Sequence, residues 1–376
     1  MNICLSMIVK NEAHIIERVL TSVLPLIDSW VIVDTGSTDT TREIIQAFFK
    51  RHNVPGELRH FEWTGNFSEA RNFALRATEE SGADYGFWID ADEQLFIDET
   101  LFKRDAAFAT RLDSYSISTR NNNIIYSRKN IWKTGKGFVW VGPIHEFLSS
   151  PNDRTSAVLP GLLVCYYTDG ASWSDVQKKY AEHARALSAY CVHTPDPRWV
   201  FYAAQSYKDA GMVPQAIEWY ARRALMFDGF FEERYVSKCA VANLSGALEV
   251  DVQTRARHFI EAHALDPMRG EAIKGLTQLY IDATDWQTAY IYSTYGLRYN
   301  KANPYPHRVL FLATTYYDFE ALEMHALCAY YAGRKQEAAA TYWKMREQIL
   351  EMGEDHLNAD QLRRIRANEP FYVKGV

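Results

Sequence analysis

Disulfide chemistry is the first thing this sequence has no means for. Its five cysteines, Cys4, Cys165, Cys191, Cys239 and Cys328, are odd in number and scattered, and no two stand as a CxxC pair. That usage excludes a disulfide framework and a zinc knuckle, and it fits a reducing compartment. No stretch approaches the roughly 20 consecutive apolar residues that span a bilayer. The opening MNICLSMIVKNE becomes charged at Lys10 before a secretory core can form. The expectation is a cytoplasmic protein with no membrane insertion. Positive charge is not in excess either: 41 Lys and Arg against 47 Asp and Glu leave a net charge of −6. That balance argues against a protein that grips a polyanion through bulk charge.

At 376 residues the chain has length for two or three domains. Aromatic residues reach 14%, which suits sugar-stacking surfaces and aromatic-rich helical packing equally. Residues 1 to about 115 alternate short apolar runs with helical patterns. ICLSMIV, WVIVD, GELRHFEW and YGFWIDAD read as strands. EAHIIERVLTSVLPLI, STDTTREIIQAFFKR and NFSEARNFALRATEE read as helices, the second opened by Ser37 or Thr38 as a cap. Such alternation predicts an α/β fold with a mostly parallel sheet, whose ligands lie beyond the carboxyl ends of the strands. Lys10 to Glu12, Asp34 to Asp39, Asn66 to Arg71 and Asp90 with Asp92 should therefore face one crevice.

Asp90, Asp92 and Glu93 crowd the end of an apolar run in GFWIDADEQLF. Two ionised carboxylates about 5 Å apart repel by about 3 kcal/mol at an effective dielectric near 20, so a compensating cation is expected, a metal ion first.

From about residue 171 the pattern changes to helix after helix. RWVFYAAQSYKDAGMVPQAIEWYARRAL reads as a hairpin broken at Gly211, with Ala216 and Tyr220 on its second helix. It returns in GEAIKGLTQLYIDATDWQTAYIYSTYGLRY and EMHALCAYYAGRKQEAAATYWKMREQIL, with a degenerate copy around 235 to 265. These hairpins resemble tetratricopeptide repeats, which stack into solenoids with extended concave surfaces.

The blocks SMIVKNEAHIIERVLTSV, WVIVDTGSTDTT, FSEARNFAL and WIDADE, in this order, resemble the nucleotide-sugar half of a family-two glycosyltransferase of GT-A fold, over about residues 2 to 150. The resemblance implies a Rossmann-like GT-A domain at 1–170 and an all-α, tetratricopeptide-like domain at 171–376. It implies a metal-dependent, inverting transfer from a nucleoside-diphosphate sugar, a UDP-sugar first and a GDP-sugar second. Mg²⁺ or Mn²⁺ would stabilise the departing diphosphate. Asp92 would be the direct metal ligand, Asp90 would touch ribose or metal-bound water, and His145 in GPIHE would be a third ligand. Asp34 would bind the nucleoside, as would Glu12, with helix capping as the alternative for Glu12. Asp39 would bind the donor or cap the following helix. Arg71 would hold phosphate or base, with a salt bridge to Glu69 or Glu12 as the alternative. Thr40 stands where the family usually has Gly, so that turn is expected to differ in shape. Glu146 is the general-base candidate for taking the acceptor's proton, with Glu93 and Asp98 as competitors.

Between Ser114 and His145 there are no acids, while Arg120, Arg128, Lys129, Lys133 and Lys136 appear among aromatic residues. This predicts a positive strip, suited to a phosphate-bearing acceptor or to a solvated hairpin face. The acceptor is expected to be a macromolecule, whether protein, glycan or DNA, with the repeats recognising it or forming a homodimer. Two rivals remain: a transferase acting on modified DNA bases, as phage enzymes do, and a non-catalytic repeat scaffold with a degenerate GT-A half.

Overall fold

Ile3–Val9 (β1) is apolar at most positions and almost wholly buried, as a strand covered on both faces must be. The chain then alternates through Ile16–Val23 (α1), Ser29–Asp34 (β2), Thr41–His52 (α2), Gly56–His60 (β3), Phe67–Glu80 (α3) and Tyr85–Trp88 (β4). Glu93–Ile97 (β5), the short Arg104–Ala107 (α4), Ser114–Asn121 (β6) and Ile124–Lys133 (β7) follow, then Val139–Val141 (β8), Phe147–Ser149 (β9) and Ser156–Tyr166 (β10). This computed structural model describes residues 1–121, 124–300 and 310–373. The chain divides into two compact units, Met1–Tyr190 and Cys191–Val376.

In the first unit eight strands form one sheet in the order β3-β2-β1-β4-β7-β6-β10-β5, with β8 and β9 as a separate pair. β3, β2, β1 and β4 run parallel, and β10 is parallel to β6. β4 with β7, β6 with β7 and β10 with β5 are antiparallel. The expected parallel α/β sheet is there and continues into a mixed half. Leu5, Met7, Ile32, Phe87, Ile117 and Val164 of the sheet pack with Val19, Leu20 and Phe48 of α1 and α2 in one core. The parallel strands end together, so the segments after β1, β2 and β4 open on a common edge.

Two local expectations need correction. The long helix read from EAHIIERVLTSVLPLI is confined to Ile16–Val23, with turns on both sides and Pro25 following it. α2 begins at Thr41 rather than near Ser37 or Thr38; Thr40 is its N-cap without a side-chain bond, and the Asp39 carboxylate just before it takes the Thr41 amide at 3.0 Å and its hydroxyl at 2.6 Å.

Val176–His193 (α5) spans the division between units. The second unit holds Pro197–Asp209 (α6), Val213–Leu225 (α7), Phe231–Leu244 (α8), Val252–Leu265 (α9), Glu271–Asp282 (α10), Trp286–Gly296 (α11), Ala321–Tyr331 (α12), Lys335–Met352 (α13) and Ala359–Val373 (α14). The pairs α6/α7, α10/α11 and α12/α13 are the hairpins expected from the sequence, and α8/α9 is the degenerate one. Their turns share a construction. Gly211, Thr284 and Gly333 lie at φ of 74°, 56° and 85°. The next amide in each bonds back to the helix: Met212 to Tyr207 O (2.9 Å), Asp285 to Tyr280 O (3.0 Å) and Arg334 to Ala329 O (2.8 Å). Ala216, Ala289 and Ala338, at matching places on the second helices, are fully buried, so only a small side chain fits where the helices approach. No helix of the described residues is long and apolar enough to cross a membrane.

Candidate active site

β4 is buried along its whole length and delivers Asp90 and Asp92 to the open edge of the sheet. Glu93, at the start of β5, is fully buried: one carboxylate oxygen accepts the Asp90 amide at 3.0 Å and Arg128 Nη2 at 2.7 Å. Arg128 comes from β7 and lies 4.1 Å from the Trp88 ring centroid. Burial pushes the Glu93 carboxyl up, with Arg128 opposing. Its other oxygen, Oε1, and Arg128 Nε have no hydrogen-bond partner among the described residues.

Arg71, one turn into α3, is the second buried cation. Its Nε donates to Glu146 at 2.6 Å and its Nη2 to Asp90 at 2.7 Å, so one planar fork joins two carboxylates 56 residues apart in sequence. Trp88 and Trp140 flank the guanidinium, each ring centroid 4.9 Å away. The structure thus pairs Arg71 with Asp90 and Glu146, not with Glu69 or Glu12. Burial would raise the Asp90 carboxyl, but Arg71 and Arg128 hold it below its usual range.

Asp92 has the opposite environment. Burial, followed by the charges of Asp90, Glu93 and Glu12, pushes its carboxyl up to about 7. Glu12, Asp90, Asp92, Glu93 and Glu146 are five carboxylates, and Arg71 and Arg128 are the two cations bonded among them. The local excess is negative and falls on Asp92. A divalent cation fits that chemistry: hard oxygen donors suit Mg²⁺ or Mn²⁺, and Mg²⁺ is commonly held by one or two carboxylates, with phosphate oxygens and waters completing the shell. Among the described residues no three His, Cys, Asp or Glu side chains gather as a metal-holding group, so Asp90, Asp92 and His145 do not form a ligand triad. His145 is exposed, at φ 55°, and packs edge-on against His183 of α5, ring centroids 6.4 Å apart. Burial, then His145 and Lys179, lowers His183 to about 4.

The remaining candidates line the loops after β1 and β2. Asp34 is 1% exposed and accepts the amides of Gly36 and Ser37 at 3.2 Å, which shapes the turn. Asn11 joins the two loops through the Thr38 amide (2.7 Å) and the Ser37 hydroxyl (2.9 Å). Asp39 accepts the Ala13 amide as well as Thr41. Glu12 accepts the Ala171 amide at 3.2 Å, and burial raises its carboxyl despite that bond.

Three of the five cations of the expected positive strip are paired. Arg128 pairs with Glu93, Lys129 with Asp153, and Lys136 with Asp113 at 2.8 Å. The partners stand outside the acid-free stretch, Asp113 by a single residue, so counting charges inside the window misled. Positions 122 and 123 of the strip lie outside the described residues.

Sequence reasoning gave no role to the segment between β10 and α5, which the boundary expected at residue 170 cuts in two. Its Tyr167 amide bonds the Asp92 carbonyl at 2.9 Å. Asp169 is held by Arg18 at 2.9 Å and His14 at 2.7 Å. Gly170 lies so near Asp92 that a Cβ there would be 3.1 Å from the Asp92 Cβ. GASWSDVQKK carries no period or motif that announces this.

Residues 4–133 match the family model described as Glycosyl transferase family 2. A TPR repeat-containing protein of Synechococcus elongatus is 29% identical over 150 residues, 39% of this chain and 35% of that protein, so the chain spans little more than a third of that relative's length. Solved structures also align. One is S. aureus TarS 1-349 in complex with UDP-GlcNAc, at 14% identity and TM-score 0.38, covering 80% of this chain and 93% of that one. Another is MamA, at 14% identity and TM-score 0.37, covering 48% and 96%. Likeness that loose says nothing about chemistry.

Proposed function

We propose, taking the family 2 glycosyltransferase domain at residues 4–133 as premise, that the chain transfers a sugar from a nucleoside-diphosphate donor to an acceptor hydroxyl with inversion. The observation that carries this reading is the unbalanced carboxylate at Asp92 beside the paired Asp90. Asp92 and Asp90 would hold a divalent cation, which on binding neutralises charge that develops on the departing diphosphate. Asp34 and Glu12 would bind the nucleoside; hydrogen bonds from backbone amides to their carboxylates already hold both side chains. Glu146 takes the proton from the acceptor hydroxyl as its oxygen forms the new bond to the anomeric carbon. The old bond to the diphosphate breaks, and its electron pair leaves with the diphosphate. Arg71 keeps Glu146 and Asp90 in fixed positions through one rigid group. The uridine nucleotide is the one to test first.

The acceptor is proposed to be a macromolecule, recognised by the helical unit, in the cytoplasm. Pairing of Arg128, Lys129 and Lys136 with acids weakens the feature on which a DNA acceptor rested. The test is release of UDP from UDP-sugars with Mn²⁺ and with chelator. The wild type should release UDP only with the metal, and Glu146→Gln should bind donor but not turn it over. Full activity in Glu146→Gln would place the base elsewhere. No release from any nucleotide-sugar would favour the scaffold.

A further inference from the structure

Lys179 stands on the first turn of α5 with its ammonium 3.6 Å from the centroid of the Trp173 ring and 3.4 Å from the Ser172 hydroxyl. The chain between β10 and α5 is fixed to the carboxylate rim at successive places. The Tyr167 amide is on the Asp92 carbonyl, Gly170 lies against the Asp92 side chain, and the Ala171 amide is on Glu12. Trp173 packs edge-on to Tyr166, the last residue of β10 (6.2 Å). Lys179 therefore stands at the start of the helix that follows a segment fastened to the rim.

Its state differs from that of Arg71 and Arg128. Arg71 and Arg128 are bonded to carboxylates at 2.6–2.7 Å. Lys179 makes no ion pair among the described residues. Burial draws its pKa down and Asp92 opposes this. An ammonium over an indole face is stabilised as a cation yet keeps donors for another acceptor, since the ring takes up none of its hydrogen-bond geometry in full.

We infer that Lys179 binds the diphosphate of the nucleotide donor, supplying the anion contact that Arg71 does not offer while it holds Asp90 and Glu146. This rests on the transferase reading above. Ser172 and Trp173 aim the ammonium, and its N–H donors meet the oxygen that receives the electron pair when the bond to the sugar breaks.

The experiment is titration calorimetry on the full chain in Mg²⁺ with UDP, GDP, uridine and guanosine, for wild type, Lys179→Met and Lys179→Arg. The methionine variant should weaken the better-bound diphosphate about tenfold to a hundredfold. It should leave the matching nucleoside unchanged, and arginine should restore most of the loss. Diphosphate affinity within about twofold of wild type in Lys179→Met overturns the assignment. An equal loss for nucleoside and diphosphate also overturns it, because that is the mark of a structural role. A wild type that binds neither diphosphate takes down the transferase reading and this inference with it. Should Lys179→Met lose its fold, Lys179→Gln, which keeps polarity and removes the charge, makes the same comparison.

Discussion

Both units bury arginine against glutamate, but they do so differently. In the helical unit Arg223 is fully buried, and it donates to Glu233 at 2.9 Å and to the carbonyls of Met226 and Phe230 at 3.0 and 2.8 Å. Arg269 donates to Glu232 and Glu271 at 3.1 Å and to Leu310 O at 3.0 Å. Each guanidinium there has carboxylate and main-chain acceptors together, so the charge fastens turns between helices. At the sheet edge Arg71 and Arg128 bond only carboxylates among the described residues, Glu93 Oε1 and Arg128 Nε stay unpartnered, and Asp92 is left in a negative field. Arg223 and Arg269, fully bonded, hold the fold. At the sheet edge the unpartnered atoms, which cost stability, stand beside the negative field at Asp92, and it is that combination that suits a ligand.

Substitutions can break this contrast. Asp92→Ala should lower sugar transfer about a hundredfold or more, read as product formed per minute, while the melting temperature holds or rises. Arg269→Met should do the reverse in kind. It strands the buried Glu232 and should cost about 3–5 kcal/mol in urea unfolding. Arg71→Met leaves Asp90 and Glu146 at a partly open rim, so its stability loss should be smaller, about 1–3 kcal/mol, with activity falling further than stability accounts for. An Arg71→Met protein as destabilised as Arg269→Met, yet active, would erase the distinction.

The pH dependence sharpens it. A carboxyl whose pKa is raised in the folded state binds more protons folded than unfolded between the two values. Stability due to Asp92 therefore falls as pH rises from its ordinary 3.8 to about 7. Chemical denaturation of wild type and Asp92→Asn across that range, without divalent cations, should show the downward slope reduced in the variant. The smallest effect belongs to the repeat turns. Gly333→Ala places a Cβ at φ 85° and should cost about 1 kcal/mol, measured by thermal melting, with donor hydrolysis unchanged.

Much of the fold was legible because its signals are local. Strand and helix periods, the Gly211 turn and the buried Ala216 are written within a few residues of one another, and so is the acid cluster at the end of β4. The site's wiring is not local. Nothing near Arg71 announces that Glu146 and Asp90 are its partners, and nothing near Glu93 points to Arg128 on the antiparallel β7. The strip from 114 to 145 looked uncompensated because Asp113, Asp153 and Glu93 lie outside it in sequence yet adjacent in the fold. The start of α2 was misplaced for a related reason: Ser37, Thr38 and Asp39 all carry capping oxygens, yet Thr40 holds the N-cap position without a side-chain bond, and only the loop's path brings Asp39 onto the Thr41 amide.

The most direct test is a crystal of the protein grown with manganese and UDP, examined for anomalous scattering. The prediction is a manganese ion in direct contact with the Asp92 carboxylate and with diphosphate oxygens. Bound UDP with no ion at that carboxylate, or an ion held elsewhere, would contradict the central claim that the unbalanced charge at the sheet edge is kept for a divalent cation.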